Sequence, residues 1–443
     1  MGLSRRYAPP ASPPPKQLSR PLLKPSTALS YPIDLEKLST QGWVSLPINN
    51  SESDPLYEAF SALFESSAQF FDLPEEERMK YRVAPRKETN TSEEGYSRVE
   101  GEKCLITLRR AQTAPTEFEL RERAGKAWRA SAGVMRDVLQ AIEESLGMST
   151  GALVRTSEKQ LELPGEGEGN VATLMRMFRY DRPPVPVSPG DSPSEGGHAS
   201  INPTPSSNRT ESGSRVVSEP HRDLGLLTIV LGHSPGLECW DAAHEEWVSC
   251  ETDERGLNAT ILVGETLTKF TNGRYVAGRH RVFVHPSPSP NSLLPSDSQS
   301  QSQSQSQPQL QSRIAPLTNP SFRYSLVHAL RGHLPSLTSS RSFETPITGA
   351  FPAHLAWSDA TIGEIYNAIS RAHWNVNVDV EERRRQEREL REKAGGRGES
   401  WAESDESRME KERGRERGRR RFSRILDMFR RSPRIHAELT LAS

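Results

Sequence analysis

The sequence predicts a mixed α+β fold built around one main folded region, and three observations predict it. Apolar residues recur at helical spacing between residues 56 and 146. Beyond residue 170, short apolar runs rich in β-branched residues replace that spacing. Two stretches inside this second part, 184–215 and 286–318, are dominated by Pro, Ser, Gly, Asn and Gln, a composition that cannot form a packed core. We therefore expect strands interrupted by two long loop insertions.

The composition indicates that much of the chain lies outside this region. A length of 443 residues suggests about three domains at the usual ~150 residues each. However, the chain holds 34 Pro and 30 Gly and has a mean hydropathy of -0.68, so parts of it are too polar to offset the entropy lost on folding. Without the predicted arm, insertions and tail, 285 residues remain. That length suits one domain.

Cysteine content and hydropathy bear on the compartment. No apolar run reaches the ~18 residues of a membrane-spanning helix, and the first residues lack the apolar block of a secretory signal. Cys104, Cys239 and Cys250 are odd in number and widely spaced, which argues against a disulfide framework and against a CxxC zinc site. We expect a cytoplasmic protein.

Both ends of the chain differ from the middle. Residues 1–30 contain seven prolines and no acidic residue, which predicts a disordered Pro-rich arm. The chain has a net charge of -1, yet residues 381–434 hold 19 basic and 13 acidic residues. This alternation of Glu and Arg predicts a charged, partly helical tail over 381–443.

One segment of the tail is a candidate interaction site. Apolar residues at helical spacing, Phe422, Ile425, Leu426 and Phe429, are flanked by arginines in the segment 419–431. Such a basic amphipathic helix suits peripheral contact with an anionic membrane or with a protein partner. Nucleic acid is not an expected partner, because the basic residues are interleaved with acids and few aromatic residues are present to stack on bases.

The N-terminal part of the chain is predicted to contain one strand followed by two helices. Residues 43–46 predict a strand, and the apolar spacing from Leu56 to Phe71 predicts a helix that ends near Leu73-Pro74. A longer helix between 117 and 146 carries one apolar stripe, which indicates a core-facing side. Its apolar positions are Trp128, Met135, Leu139, Ile142 and Leu146.

The predicted boundaries in the rest of the chain follow changes in the pattern of apolar residues. Residues 31–169 form an N-terminal region of helices and strands, and 170–335 form a strand-rich core. Residues 336–380 contain a C-terminal helix over 362–374.

Three residues in the strand-rich region have the side chains of a metal site. His221 and Asp223 directly precede the apolar run 224–230, which we interpret as part of the same strand, where residues i and i+2 point to one side. His280 begins a second predicted strand. Two imidazoles and one carboxylate are the facial triad of non-haem Fe(II) oxygenases, which leaves adjacent coordination positions open. The pattern HxD alone is a weak signal of a metal site, so the interpretation depends on the surrounding sequence.

That surrounding sequence resembles the isopenicillin-N-synthase-like branch of the Fe(II)/2-oxoglutarate-dependent dioxygenases. The resemblance rests on 221–230, on Asn272-Gly273-Arg274-Tyr275 and on His280-Arg281-Val282, and it extends to Phe70-Phe71-Asp72-Leu73-Pro74. It covers about residues 31–380. One departure is Glu265, where family members have Asp; it lies outside the triad.

The resemblance implies a double-stranded β-helix (jelly roll) backed by the N-terminal helices, with Fe(II) held by the triad His221, Asp223 and His280. It also implies that Arg323 and Ser325 bind the distal carboxylate of 2-oxoglutarate. Family members place Arg-x-Ser about ten residues after the distal histidine, and the 43 residues here become ten once 286–318 is set aside. The alternative for Arg323 is a surface ion pair.

Tyr180 is a further candidate for cosubstrate binding, although this part of the resemblance is incomplete. Plant members have Asn two residues before the corresponding Tyr, and Phe178 stands there in this chain.

The implied activity is that of an oxygenase of secondary metabolism. It would use Fe(II), O2 and 2-oxoglutarate to oxidise an unactivated C-H bond of a small organic substrate, with hydroxylation as the commonest outcome and succinate and CO2 as coproducts. An Fe(II)-dependent oxidase without 2-oxoglutarate keeps the same Arg-x-Ser and remains an alternative. A non-catalytic scaffold is a second alternative, against which the complete triad argues. The insertion 184–215 enters just before His221 and is a candidate lid.

Overall fold

The structure is a computed structural model of the chain, and it describes residues 20–48, 53–83, 94–165, 172–183, 213–251, 257–286, 319, 321–373, 375–378 and 380–395. Two compact units divide the chain at residues 372 and 373. The first unit holds all the strands named below and the first seven α-helices.

Helices among the described residues are α1 (Leu35–Gln41), α2 (Pro55–Asp72), α3 (Glu75–Met79), α4 (Leu120–Ser145), α5 (Val154–Ser157), α6 (Glu265–Phe270), α7 (Ile362–Ser370) and α8 (Val380–Gly395). Strands are β1 (Trp43–Ile48), β2 (Gly95–Val99), β3 (Lys103–Leu108), β4 (Leu174–Asp181), β5 (Arg215–His221), β6 (Leu227–Gly232), β7 (Leu237–Asp241), β8 (Glu246–Ser249), β9 (Leu257–Val263), β10 (His280–Val284), β11 (Phe322–Leu330), β12 (Leu337–Thr338) and β13 (Ala360–Thr361).

Two antiparallel sheets form the centre of the first unit. The larger sheet has the order β1-β9-β6-β11-β4-β3-β2, and the smaller has the order β5-β10-β7-β8. The eight strands from β4 to β11 divide equally between the sheets, with successive strands mostly changing sheet, which is the topology of a jelly roll. The predicted mixed α+β fold with a double-stranded β-helix is confirmed.

Alternation along the strands produces two hydrophobic cores. On β4, Met175 and Met177 face the helices, whereas Phe178 and Tyr180 belong to the cluster inside the barrel. On β11, Tyr324 joins the helix-side core. The inward positions of these two strands are therefore available for a site within the barrel.

Helices α2 and α4 cover the outer face of the larger sheet. Asp54 caps α2 by accepting hydrogen bonds from the backbone N–H groups of Leu56 and Tyr57, at 2.9 and 3.3 Å, and Pro55 occupies the first turn. The predicted apolar stripe of α4 is fully buried. Both helix predictions are confirmed, with α2 ending one residue before Leu73.

The structure corrects two details of the sequence interpretation. Strand β5 ends at His221 and the next strand begins only at Leu227, so Asp223 lies in the connection between two sheets and not beside His221 on one strand. The chain must leave one sheet for the other here, and a single strand through 221–230 cannot do that.

The second correction concerns the end of the predicted arm. The backbone N–H of Leu23 donates to Ser145 O at 2.8 Å, and that of Thr27 donates to the Glu144 carboxylate at 2.9 Å. Residues 20–30 therefore lie against the end of α4, because that helix leaves carbonyl and carboxylate acceptors there. The prediction of disorder was wrong for these residues.

Several predicted segments lie outside the described residues: 1–19, most of the insertions 184–215 and 286–318, and the tail beyond 395, including the segment 419–431. Among the helices that the structure describes, none is both long and apolar enough to cross a membrane. In the second unit, α8 carries an exposed ion pair between Arg385 and Glu382 at 2.6 Å.

Candidate metal centre and cosubstrate site

The jelly roll brings the three predicted metal ligands together. His221 ends β5, His280 begins β10, and the two are register partners across these antiparallel strands. Their ring centroids are 4.2 Å apart. One ligand atom from each of His221, Asp223 and His280 lies within 4.8 Å of the other two. The three side chains are therefore close enough to one another to be the candidate ligands of a single metal ion.

Backbone carbonyls orient both imidazoles. The Nδ1 atom of His221 lies 2.8 Å from Glu219 O, and that of His280 lies 3.1 Å from Gly278 O. A carbonyl oxygen can only accept, so each Nδ1 carries the proton and each Nε2 presents a lone pair. Histidines that bind a metal through one ring nitrogen usually donate such a hydrogen bond from the other.

The charge states of the triad also suit a metal ion. Burial and the neighbouring His280 lower the pKa of His221 to about 3, which favours the neutral imidazole that metals bind. Burial alone would raise the pKa of Asp223, but His280 and His221 lower it more, so the carboxyl group is ionised. Asp223 Oδ2 is buried and has no hydrogen-bond partner among the described residues. Burying an unpaired carboxylate oxygen costs free energy unless a cation binds to it. These three residues therefore fit Fe(II).

The three predicted cosubstrate residues also meet inside the barrel. Arg323 and Ser325 on β11 are register partners of Tyr180 and Phe178 on β4. The Cζ atom of Arg323 lies 5.3 Å from the centre of the Tyr180 ring, and the Ser325 hydroxyl lies 3.4 Å from the Tyr180 hydroxyl. All of them are buried. Phe178, which replaces the plant Asn, stacks on Tyr180 with the rings 5.3 Å apart and 12° from parallel.

Arg323 has a partner that the sequence did not predict. Its Nη2 atom lies 2.9 and 2.8 Å from the two carboxylate oxygens of Glu251, and both side chains are only 1% exposed. Nε donates to Ser234 O at 3.1 Å, whereas Nη1 has no partner among the described residues. Among the described residues, one donor nitrogen of the guanidinium is therefore left for a ligand.

Glu251 could not have been found from local sequence. It lies two residues after the end of β8, and no motif or spacing distinguishes it from the other acidic residues near it. The carbonyls of Glu219 and Gly278 were also missed, because backbone acceptors leave no signal in residue types.

Residues 197–289 match the sequence model of the 2OG-Fe(II) oxygenase superfamily. The matched range contains all three triad residues. The segment 197–289 therefore has the sequence of a 2OG-Fe(II) oxygenase core. The enzyme class of the chain and its cofactors, Fe(II) and 2-oxoglutarate, follow from this family and from the triad. The match to the oxygenase family ends before Arg323 and Ser325, so their roles in cosubstrate binding stay predictions.

Comparison with solved structures finds similar chains at low sequence identity. A full-length protein from Neurospora crassa, in complex with alpha-KG and 5-formyluracil, has a TM-score of 0.49 at 16% identity, covering 75% of this chain and 86% of that one. A dioxygenase for auxin oxidation from Arabidopsis thaliana, in complex with 2-oxoglutarate, has a TM-score of 0.40 at 15% identity, covering 67% and 85%. Neither likeness bears on the substrate of this oxygenase. No curated protein matches the chain.

Proposed function

We propose that this oxygenase couples the oxidative decarboxylation of 2-oxoglutarate to the hydroxylation of an unactivated C-H bond in a small organic substrate. Succinate and CO2 are the coproducts of the cosubstrate. The proposal includes the isopenicillin-N-synthase-like branch, a place in secondary metabolism and a cytoplasmic location. The three cysteines are buried free thiols, which supports a reducing compartment.

The observation that carries the proposal is the convergence of His221, Asp223 and His280 within 4.8 Å, with Asp223 Oδ2 buried and unpartnered among the described residues. Fe(II) bound there would supply oxygen activation. The protein contributes the fixed tautomers of both histidines and a buried, ionised carboxylate. An Fe(II) ion held by these three residues would keep coordination positions for the cosubstrate and dioxygen.

The cosubstrate position follows from the chemistry of the residues around it. Arg323 Nη1 is a donor that lacks a partner within the described part of the chain, and a carboxylate is the ligand that a buried guanidinium edge binds best. Ser325 and Tyr180 offer hydroxyl groups beside it. We assign these three residues to the distal carboxylate of 2-oxoglutarate.

The test uses the full chain, purified without oxygen and supplied with Fe(II) and 2-oxoglutarate. We expect the visible charge-transfer band of a bound 2-oxo acid, and CO2 release from labelled 2-oxoglutarate when candidate substrates are added with oxygen. His221→Ala is the control and should show neither. A wild-type protein without the band and without CO2 release would rule out the proposed reaction.

The ion pair of Arg323 favours a second candidate function. Because Glu251 already neutralises the guanidinium, an Fe(II)-dependent oxidase that uses no 2-oxoglutarate is compatible with the same site. Substrate oxidation with oxygen uptake, but without labelled CO2 release from 2-oxoglutarate, would identify that activity.

A further inference from the structure

Glu251 binds Nη2 of Arg323, beside the Nη1 atom that the proposed function assigns to the distal carboxylate of the cosubstrate. Both of its carboxylate oxygens lie within 2.9 Å of Arg323 Nη2, and its Oε2 atom also accepts from the backbone N–H of Leu237 at 2.8 Å. The side chains of Glu251 and Arg323 are 1% exposed. This is a desolvated, hydrogen-bonded ion pair and not a surface contact.

Two glycines make room for this pair. A Cβ atom on Gly232 would lie 2.2 Å from Glu251 Oε1 and 2.6 Å from Arg323 Nη2. A Cβ atom on Gly236 would lie 2.4 Å from Arg323 Nε. Distances this short are not tolerated between real atoms, so any larger residue at either position would displace the pair. The space for a carboxylate on Arg323 is therefore part of how the barrel is built.

The charge of the Glu251–Arg323 pair affects how a second carboxylate can bind to Arg323. A distal carboxylate that docks on Nη1 of Arg323 would place a second negative charge beside Glu251, with one guanidinium between them. In a site with little water, two carboxylates sharing one cation repel each other strongly. Binding of 2-oxoglutarate therefore has to move Glu251 away from Arg323.

We propose that Glu251 is a specificity-determining residue that competes with the distal carboxylate of 2-oxoglutarate for Arg323. This inference rests on the proposed function, because it takes 2-oxoglutarate as the cosubstrate. Glu251 reduces the advantage of a 2-oxo acid with a distal carboxylate over one without it. The site consequently accepts 2-oxo monocarboxylates of similar length almost as well as 2-oxoglutarate.

Equilibrium binding tests the competition without turnover. The full chain is loaded with Ni(II) and titrated in a calorimeter with 2-oxoglutarate and, separately, with 2-oxopentanoate, in which a methyl group replaces the distal carboxylate. In the wild type, the two dissociation constants should agree within about threefold, since the carboxylate contact with Arg323 is offset by the loss of Glu251. In Glu251→Gln, 2-oxoglutarate should bind about tenfold more tightly or better, while the constant for 2-oxopentanoate stays within about twofold.

Glu238→Gln is the matched control. Glu238 also pairs with an arginine of the smaller sheet, Arg281, at 2.7 Å, but this pair is partly exposed and lies outside the cosubstrate residues. Glu238→Gln should leave the dissociation constants of 2-oxoglutarate and 2-oxopentanoate unchanged. A Glu251→Gln protein that binds Ni(II) and shows unchanged or weaker affinity for 2-oxoglutarate overturns the inference.

Removing Glu251 leaves a buried guanidinium unpaired, so the variant needs a stability measurement as well. 2-Oxoglutarate should raise the thermal midpoint of Glu251→Gln by more than it raises that of the wild type, because it restores a carboxylate to Arg323. If Glu251→Gln does not fold, Glu251→Asp provides the test. It keeps the charge but shortens the reach, and it should tighten 2-oxoglutarate binding by about threefold. If Glu251→Asp binds 2-oxoglutarate no more tightly than the wild type does, the inference is likewise overturned.

The outcomes separate this inference from the proposed function. A wild type that binds Ni(II) and 2-oxoglutarate, with no gain in the Glu251 variants, contradicts only the inference. Absence of 2-oxoglutarate binding in every protein, despite Ni(II) binding, overturns the inference and the 2-oxoglutarate-dependent function together.

Discussion

His221 and His280 face each other across β5 and β10 as register partners, with ring centroids 4.2 Å apart. The relationship connects the last residue of one strand with the first residue of another, so strand pairing fixes the positions of these two candidate ligands. Asp223 completes the group from the connection that follows β5.

Loss of one imidazole should therefore abolish metal binding without unfolding the barrel. In His280→Ala, we expect the affinity for Fe(II) or Co(II) to fall by more than the ~10–100-fold that loss of a ligand's hydrogen-bond partner costs. Metal content after dialysis and a competition titration measure this. His285→Ala, an exposed histidine directly after the same strand, is the control and should bind metal like the wild type. Equal metal content in the two variants would contradict the assignment of His280.

The triad could be predicted from sequence because its signals are local. HxD and the later HRV segment are short motifs, and both lie beside apolar runs that indicate strands. The prediction that His221 and Asp223 share one strand was wrong, because alternation in an apolar run does not show where a chain crosses between sheets. Arg323 was found only after 286–318 was set aside as unable to pack.

Glu251 and Arg323 illustrate what sequence could not provide. They are 72 residues apart, and their contact depends on how β7, β8 and β11 are arranged in three dimensions. Charged residues are usually exposed, so nothing in the sequence indicated that this carboxylate is buried. The contacts of residues 20–30 with α4 were missed for a similar reason, since their partners are a carbonyl and a carboxylate far along the chain.

The buried pair makes a prediction about stability. Arg323→Met should lower the free energy of unfolding by about 3–5 kcal/mol, because it leaves Glu251 buried and without its counter-ion. Adding Glu251→Leu should restore most of that loss, since an apolar pair of similar volume removes the unpaired charge. Urea unfolding of the two variants and the wild type gives the values. Additive losses in the double variant would show that the two charges are not coupled.

Gly42 is predicted to control the metal site from outside it. This residue ends α1 with φ of 80°, and a Cβ atom there would lie 2.5 Å from the backbone N of Gly278. Gly278 O is the acceptor that orients His280. Gly42→Ala should therefore displace this carbonyl and weaken metal binding by about tenfold, the cost typical of losing the hydrogen-bond partner of a metal ligand.

Gly101→Ala separates this displacement from backbone strain. Gly101 also has a positive φ, 66°, but its Cβ would meet no atom within 4 Å among the described residues. Both variants should lose about 1 kcal/mol or more of stability from the left-handed conformation. Only Gly42→Ala should lose metal affinity. A loss of affinity in both variants would attribute the effect to general destabilisation.

His328 gives the stability of the metal-free protein a dependence on pH. Its ring is buried against Trp128 with centroids 4.5 Å apart, and its Nδ1 atom lies 2.6 Å from the Ser131 hydroxyl. Burial lowers the pKa of His328 to about 3, whereas an unfolded histidine has a pKa of about 6.5. Below that value the unfolded chain takes up a proton that the folded chain does not, so stability falls as pH falls.

His328→Phe should remove this contribution while keeping an aromatic ring in the core. Between pH 6 and pH 4, the free energy of unfolding of the wild type should fall more steeply than that of the variant, by about 1.4 kcal/mol per pH unit. Urea titrations at several pH values measure both slopes. His221 and His233, whose pKa values burial also lowers, titrate in both proteins and therefore cancel in the difference. Parallel slopes would mean that His328 becomes protonated in the folded protein, and hence that water reaches the space between α4 and β11.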